Sequence, residues 1–336
     1  MHVTILENTL RDGSYVFDFQ MTKKHTVDIC RGLETLGFSH IEVGHGLGLG
    51  ASRHAKITTA KESDVNYISS AREAAPNAQL SSFFIPGIGT KEDIKTAADL
   101  GLDILRVGIN INNYQETREY AEYARSLGLT VCINLMKSYA VKSYEFARIV
   151  QQIDRWQLAK VIYLVDSAGC MMPDEVREFL DKSRLGITTE MGFHGHNNLS
   201  FAAANSIEAV KAGATWVDSC VRGMGRSAGN AQTEILVYLL QKMGIASVAH
   251  FDIYELYDFA KEYIVPIMPR VQGFTDEEIH IGISKFHSSF MPFVSAAVEK
   301  YPIDKRRLIK DTSAINCLDP SEHLFMEVAE MIYNND

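Results

Sequence analysis

Ile104-Leu105-Arg106-Val107, then Tyr120-x-x-Tyr123-Ala124-x-x-Leu127-Gly128, then Val131-Cys132-Ile133-Asn134-Leu135: this stretch decides the fold. A short β-branched run reads as a strand. Apolar residues at spacings of three and four draw one face of a helix, and a glycine closes it just before the next strand. The same unit recurs outward in both directions. Candidate strands lie at Thr4–Leu6, Ile41–Val43, Leu80–Ile85, Val161–Val165, Thr188–Phe193 and Trp216–Val221. Helical spacings such as Val27-Ile29-Cys30-Leu33-Leu36 and Ile94-Ala97-Ala98-Leu100 fall between strands, and Gly37, Gly101 and Gly213 repeat the terminal glycine. Eight βα units without a strand-only stretch predict an α/β fold, a closed (β/α)8 TIM barrel, with an open doubly wound sheet as the alternative. The barrel pattern ends with a helix around Asn230–Met243. A helical pattern with Pro266, Pro269, Pro292 and Pro302 follows. The expected division is a barrel over residues 1–251 and a C-terminal helical extension over 252–336, partly packed on the barrel and partly a small subdomain.

Composition narrows the function. Of 336 residues 46% are hydrophobic and 22% charged, which excludes a disordered chain. Lys+Arg number 33 against 42 Asp+Glu, with no basic run, so nucleic acid is not an expected partner. Apolar runs are short and interrupted by charge, so no membrane span is expected. Met1-His2-Val3-Thr4-Ile5-Leu6-Glu7 meets a charge too early for a secretory signal, and five scattered cysteines fit neither a disulfide framework nor a zinc cluster. A cytoplasmic enzyme is expected.

Chemistry in such a barrel sits where strands end. There the sequence places Thr9-Leu10-Arg11-Asp12-Gly13-Ser14, Glu42-Val43-Gly44-His45-Gly46, Asp166-Ser167 and His194-Gly195-His196-Asn197-Asn198. Residues i and i+2 of a strand face one side, so His194 and His196 point together into the mouth. Strands 1 and 7 contribute to one interior layer, which lets Asp12 join them. Two imidazoles and a carboxylate with open positions suit Mn2+, Zn2+, Co2+ or Mg2+; the alternative is a pair of hydrogen-bonding histidines. Arg11, beside such a centre, calls for an anion, either a substrate carboxylate or a developing enolate oxygen, where a surface ion pair is the bland reading. Gly46-Leu47-Gly48-Leu49-Gly50 lacks dinucleotide spacing and reads as a flexible loop, whereas Gly223–Asn230 is a candidate anion site. No G-x-S-x-G elbow occurs.

Those strand-end motifs, with Pro86-Gly87-Ile88-Gly89, Asp166-Ser167-Ala168-Gly169, Phe193–Ser200, Ala204-Asn205-Ser206-Ile207 and Gly223-Met224-Gly225…Ala228-Gly229-Asn230-Ala231, resemble the metal-dependent 4-hydroxy-2-oxovalerate aldolases. That family belongs to the barrel superfamily of hydroxymethylglutaryl-CoA lyase and isopropylmalate synthase, and the resemblance runs from about residue 4 to 330. It implies a divalent-metal pyruvate aldolase, a carbon–carbon lyase joining pyruvate and an aldehyde into a 4-hydroxy-2-oxo acid, with Mn2+ the foremost metal. It implies Asp12, His194 and His196 as ligands, Arg11 as enolate stabiliser, Ser167 on the 2-oxo acid, and Phe83 and Ile85 near the aldehyde. His287-Ser288-Ser289-Phe290 resembles the C-terminal region with which the family contacts an acylating aldehyde dehydrogenase; a homo-oligomer is also implied. Three departures stand out. Tyr15 replaces the family's acid/base histidine, His287 replaces a tyrosine, and Arg222 and Arg226 replace small residues. Tyr15 and His287 therefore look exchanged, with an acidic limb in the histidine range expected of the rate, and the arginines imply a larger or more anionic substrate. The alternatives are a Claisen-type acyl-CoA enzyme of the same superfamily and a non-catalytic metal- and pyruvate-binding homologue.

Overall fold

The computed structural model describes residues 2–269, 272 and 276–335. Eight parallel strands close into a barrel in sequence order: β1 Thr4–Glu7, β2 His40–Glu42, β3 Gln79–Phe84, β4 Ile104–Asn110, β5 Thr130–Met136, β6 Val161–Asp166, β7 Glu190–Gly195 and β8 Trp216–Ser219. Closure is made by β1 on β8, with Thr4 opposite Trp216 and Glu7 opposite Ser219. Outside lie α1 Lys23–Thr35, α2 Asp64–Ala74, α3 Lys91–Asp99, α4 Thr117–Ser126, α5 Ser143–Asp154, α6 Pro173–Ser183, α7 Ala202–Lys211 and α8 Thr233–Lys242. The TIM barrel read from the sequence is the observed fold.

The local chemistry explains the alternation. Thr22, Ser63 and Thr90 accept a backbone N–H at the starts of α1, α2 and α3, satisfying donors that a helix start leaves free. Gly37, Gly101, Gly128 and Gly213 adopt positive φ after α1, α3, α4 and α7 and turn the chain into the next strand. Outward side chains such as Leu80, Leu105, Ile133 and Ile162 pack against Ile29, Leu33, Ile94 and Val150 of the helices in one cluster. Inside the barrel, Leu6, Ile104, Cys132, Val161, Tyr163 and Trp216 fill the floor, so the interior is packed.

Most strand ends lie within a residue of the expected bounds, β4 runs on past Val107 to Asn110, and at two strands the departure has a visible physical cause. Thr188 and Thr189 give their N–H and hydroxyl groups to Asp154 Oδ1 at 2.7–3.2 Å, so β7 begins at Glu190. Val221 gives its N–H to Glu7 and Thr9 at 3.0 and 2.8 Å and turns away, so β8 ends at Ser219. The Gly46–Gly50 loop is packed against β3: a Cβ on Gly48 would collide with the Phe83 carbonyl.

Beyond the barrel come α9 Ile253–Phe259, α10 Asp276–Ile283, α11 Met291–Lys300, α12 Lys305–Ile315 and α13 Glu322–Asn335. Leu256, Phe259, Ala260 and Ile264 join the barrel's cluster. Ile281, Phe286, Val294, Leu308, Phe325 and Ile332 belong to a second one. The five cysteines are unpaired, and among the described residues no helix is long and apolar enough to cross a membrane.

Candidate functional site

A cavity of 630 Å³ opens at the C-terminal ends of the strands. Arg11, Asp12, Tyr15, Phe83, Ile85, Ser167, His194, His196, Arg226 and His287 all line it, so every site residue read from the sequence is brought together. Arg222 is not. It pairs with Glu234 at 3.4 Å behind the β8 loop, which corrects its reading as a second substrate-facing cation.

The cluster is built by backbone geometry. After β1 the N–H groups of Arg11, Asp12 and Gly13 converge on the Asn8 carbonyl at 2.9–3.2 Å, a tight turn that swings Asp12 over the barrel. His194 lies in β7 and His196 just past it, with their rings 5.2 Å apart. Asp12, His194 and His196 offer ligand atoms within 4.8 Å of one another.

Beneath them lies a charged layer. His194 Nδ1 meets Asp218 Oδ2 at 2.8 Å, which turns Nε2 toward Asp12 Oδ2 at 3.2 Å. Arg106, fully buried on β4, donates to Glu42 Oε2 at 2.8 Å and to Asp218. Arg11 donates through Nε to Glu42 at 2.7 Å, lies 3.1 Å from Asp12 through Nη1, and covers the Phe83 ring at 4.6 Å. Phe83 is thus a platform for Arg11 as well as a cavity wall. Burial opposes the Asp12 charge, but Arg11 and the imidazoles outweigh it and hold the carboxyl well below its usual range.

The donor set fits a small divalent cation. Two donors each about 2.1 Å from one ion sit roughly 3 Å apart, as Asp12 Oδ2 and His194 Nε2 do. His196 Nδ1 is buried without a hydrogen-bond partner. The Asp218–His194 contact is the outer support that orients a ligating imidazole.

The other side of the cavity holds the groups in which this chain departs from the aldolase pattern. Burial pushes the Tyr15 phenol up to about 12, so it stays protonated. His287 caps the turn Ser288–Phe290, and its Nδ1 lies 3.3 Å from Arg226 Nη1. Lys137, at the end of β5, gives its Nζ to the Leu318 carbonyl at 2.6 Å. Its backbone N–H binds the Ser167 hydroxyl at 3.0 Å. Sequence reasoning missed Arg106, Asp218 and Lys137. The available signal was a lone charge inside or just after an apolar strand, which must find a partner.

Fold and mouth define the class: a (β/α)8-barrel enzyme with its chemistry at the strand ends. The chain belongs to the HMGL-like family, whose sequence model matches residues 2–262. It is 34% identical over 330 residues to the 4-hydroxy-2-oxovalerate aldolase of Bacillus thuringiensis (strain Al Hakam), covering 97% of this chain and 95% of that one. It is 32% identical to the enzyme of that name from Carboxydothermus hydrogenoformans, covering 97% and 96%. Among solved structures, the N-terminal domain of a candidate aldolase from Bacteroides vulgatus superposes with a TM-score of 0.75 at 24% identity, covering 87% of this chain and 97% of that one. The carboxyl transferase domain of Rhizobium etli pyruvate carboxylase with pyruvate superposes at 0.77 and 16% identity, covering 100% and 61%. Both are likenesses of fold.

Proposed function

We propose that the cavity cleaves and forms a 4-hydroxy-2-oxo acid, exchanging it with pyruvate and an aldehyde. The observation that carries this is the Asp12–His194–His196 cluster with Arg11 beside it. These three residues would hold a divalent cation, foremost Mn2+, which when bound supplies Lewis-acid polarisation of a 2-oxo acid. Arg11 keeps Nε and Nη1 on Glu42 and Asp12, which fixes its plane and leaves Nη2 for the oxygen that becomes the enolate. In cleavage the C4 hydroxyl loses its proton, the C3–C4 pair passes to the enolate, the aldehyde departs, and C3 regains a proton to give pyruvate. By the family resemblance Ser167 would contact the 2-oxo acid, Phe83 and Ile85 would wall the aldehyde side, and Tyr15 and His287 would attend the C4 oxygen; all five line the cavity. Cytoplasmic location, a homo-oligomer, and docking of an acylating aldehyde dehydrogenase on the helical region complete the reading by family resemblance.

The test is proton–deuterium exchange at the pyruvate methyl, which reports enolisation without knowledge of the aldehyde. A chelator is expected to abolish it and Mn2+ or Co2+ to restore it, while Asp12→Ala loses bound metal. Full exchange in excess chelator, or unchanged metal content in the variant, would overturn the assignment.

A further inference from the structure

Arg226 and Lys137 are two further cations of the cavity. Arg226 gives Nη1 to His287 Nδ1 at 3.3 Å and Nη2 to the Ser167 carbonyl at 3.4 Å, and lies 5.7 Å from the Tyr15 ring. Lys137 is 5% exposed, and its Nζ sits 4.6 Å over the Phe290 ring besides its bond to Leu318. Among the described residues neither has a carboxylate within ion-pair distance. Asp18 on the rim is exposed. Burial pushes the Lys137 ammonium down to about 8, and Asp319 only partly opposes this.

Charge balance separates these two from the rest of the site. Arg11 and Arg106 stand against Asp12, Glu42 and Asp218, one negative charge in excess. A divalent cation there would reverse the excess to one positive charge, which the carboxylate of a 2-oxo acid neutralises. That half then closes on itself. Arg226, half-buried, and Lys137, buried, remain with two positive charges on the cavity wall, an arrangement that a bound anion would complete.

We propose that Arg226 and Lys137 form a subsite for an anionic group at the far end of the aldehyde, so that the co-substrate is an aldehyde bearing a terminal carboxylate or phosphate. The inference rests on the aldolase reading above. The reaction is balanced without any further reactant. The pyruvate methyl gives up one proton, C3 bonds to the aldehyde carbon, the aldehyde oxygen gains one proton, and the distal anion is unchanged.

The experiment compares kcat/KM for condensation of pyruvate with butanal against succinic semialdehyde, and with glyceraldehyde against glyceraldehyde 3-phosphate. Pyruvate exchange is measured on the same samples. The anionic member of at least one pair is expected to be favoured by about 10²-fold, and the pair that shows it identifies carboxylate or phosphate. Arg226→Gln and Lys137→Gln should each lower that ratio by about tenfold or more. Equal use of charged and uncharged aldehydes, or a ratio unchanged in both variants, overturns the proposal. So does a loss confined to the pyruvate KM of exchange, because the cations would then serve the 2-oxo acid. A protein that never exchanges pyruvate protons fails the aldolase reading itself; one that exchanges them without charge preference fails only this inference.

Discussion

His287 Nδ1 faces Arg226 Nη1 at 3.3 Å, the Ser289 N–H at 3.3 Å and the Ser289 hydroxyl at 2.6 Å. A guanidinium and an amide can only donate, so Nδ1 keeps its lone pair and the neutral ring carries its hydrogen on Nε2. On the proposed reading it would then be a donor to the aldehyde oxygen in the bond-forming direction. Burial, then Arg226 and Lys137, hold the ring well below its usual 6.5. The histidine-range acidic limb expected from the sequence should therefore be absent from kcat/KM. His287→Ala is expected to slow carbon–carbon cleavage by about 10²–10⁴-fold while pyruvate exchange continues. Below 6.5 the unfolded ring takes up a proton that the folded ring refuses, so stability falls as pH drops and falls less in the variant. Urea midpoints at acid and neutral pH check this, and a limb near 6.5 that vanishes with His287→Ala would reverse the assignment. At this scale the sequence was legible wherever polar residues cluster at strand ends. Lys137 showed only as a lone charge after an apolar strand, because the partners that give it meaning, Phe290 and Leu318, lie far along the chain.

The even-numbered strands each give one side chain to a single layer: Glu42 from β2, Arg106 from β4, Tyr163 from β6 and Asp218 from β8. Arg106 is its hub, bound to both carboxylates and 4.6 Å from the Tyr163 ring. Alternation of strands and the glycine-ended helices made the barrel readable, since those patterns are local. The layer was not, because register between distant strands decides which charges meet. Arg106→Met would leave Asp218 without its arginine and Glu42 with Arg11 alone. Breaking a buried pair in this way costs about 3–5 kcal/mol. Asp218 would also lose its hold on His194, so metal affinity should fall by about 10–100-fold. Urea unfolding and metal titration of the variant measure the two effects separately, and wild-type values in both would show that the layer neither stabilises the barrel nor orients the ligand.

Among the described residues the apolar core falls into three clusters, one inside the barrel, one between strands and helices, and one in the helical region, and the last two do not divide at residue 252, where the sequence pattern changes. Leu256, Phe259 and Ile264 belong with the barrel, while Phe286, Leu308 and Phe325 belong to the helical region. The helical region reaches back over the mouth through His287, through the Leu318 carbonyl on Lys137, and through the Glu278 carbonyl, which accepts Asn198 Nδ2 at 2.8 Å. At about 1.5–3 kcal/mol per buried side chain, Leu256, Phe259 and Ile264 together contribute roughly 5–9 kcal/mol. That is comparable to the whole stability of an ordinary domain, about 5–15 kcal/mol. A chain ending at residue 251 should therefore fail to fold, and one ending at 269 should keep the barrel and its metal cluster. The longer piece loses His287 and the carbonyl that holds Lys137, so it should exchange pyruvate protons in the presence of metal yet form no carbon–carbon bond. Thermal unfolding and exchange on both pieces decide the matter. Equal melting temperatures would return the boundary to 252, and aldol activity in the 1–269 piece would remove the helical region from the chemistry.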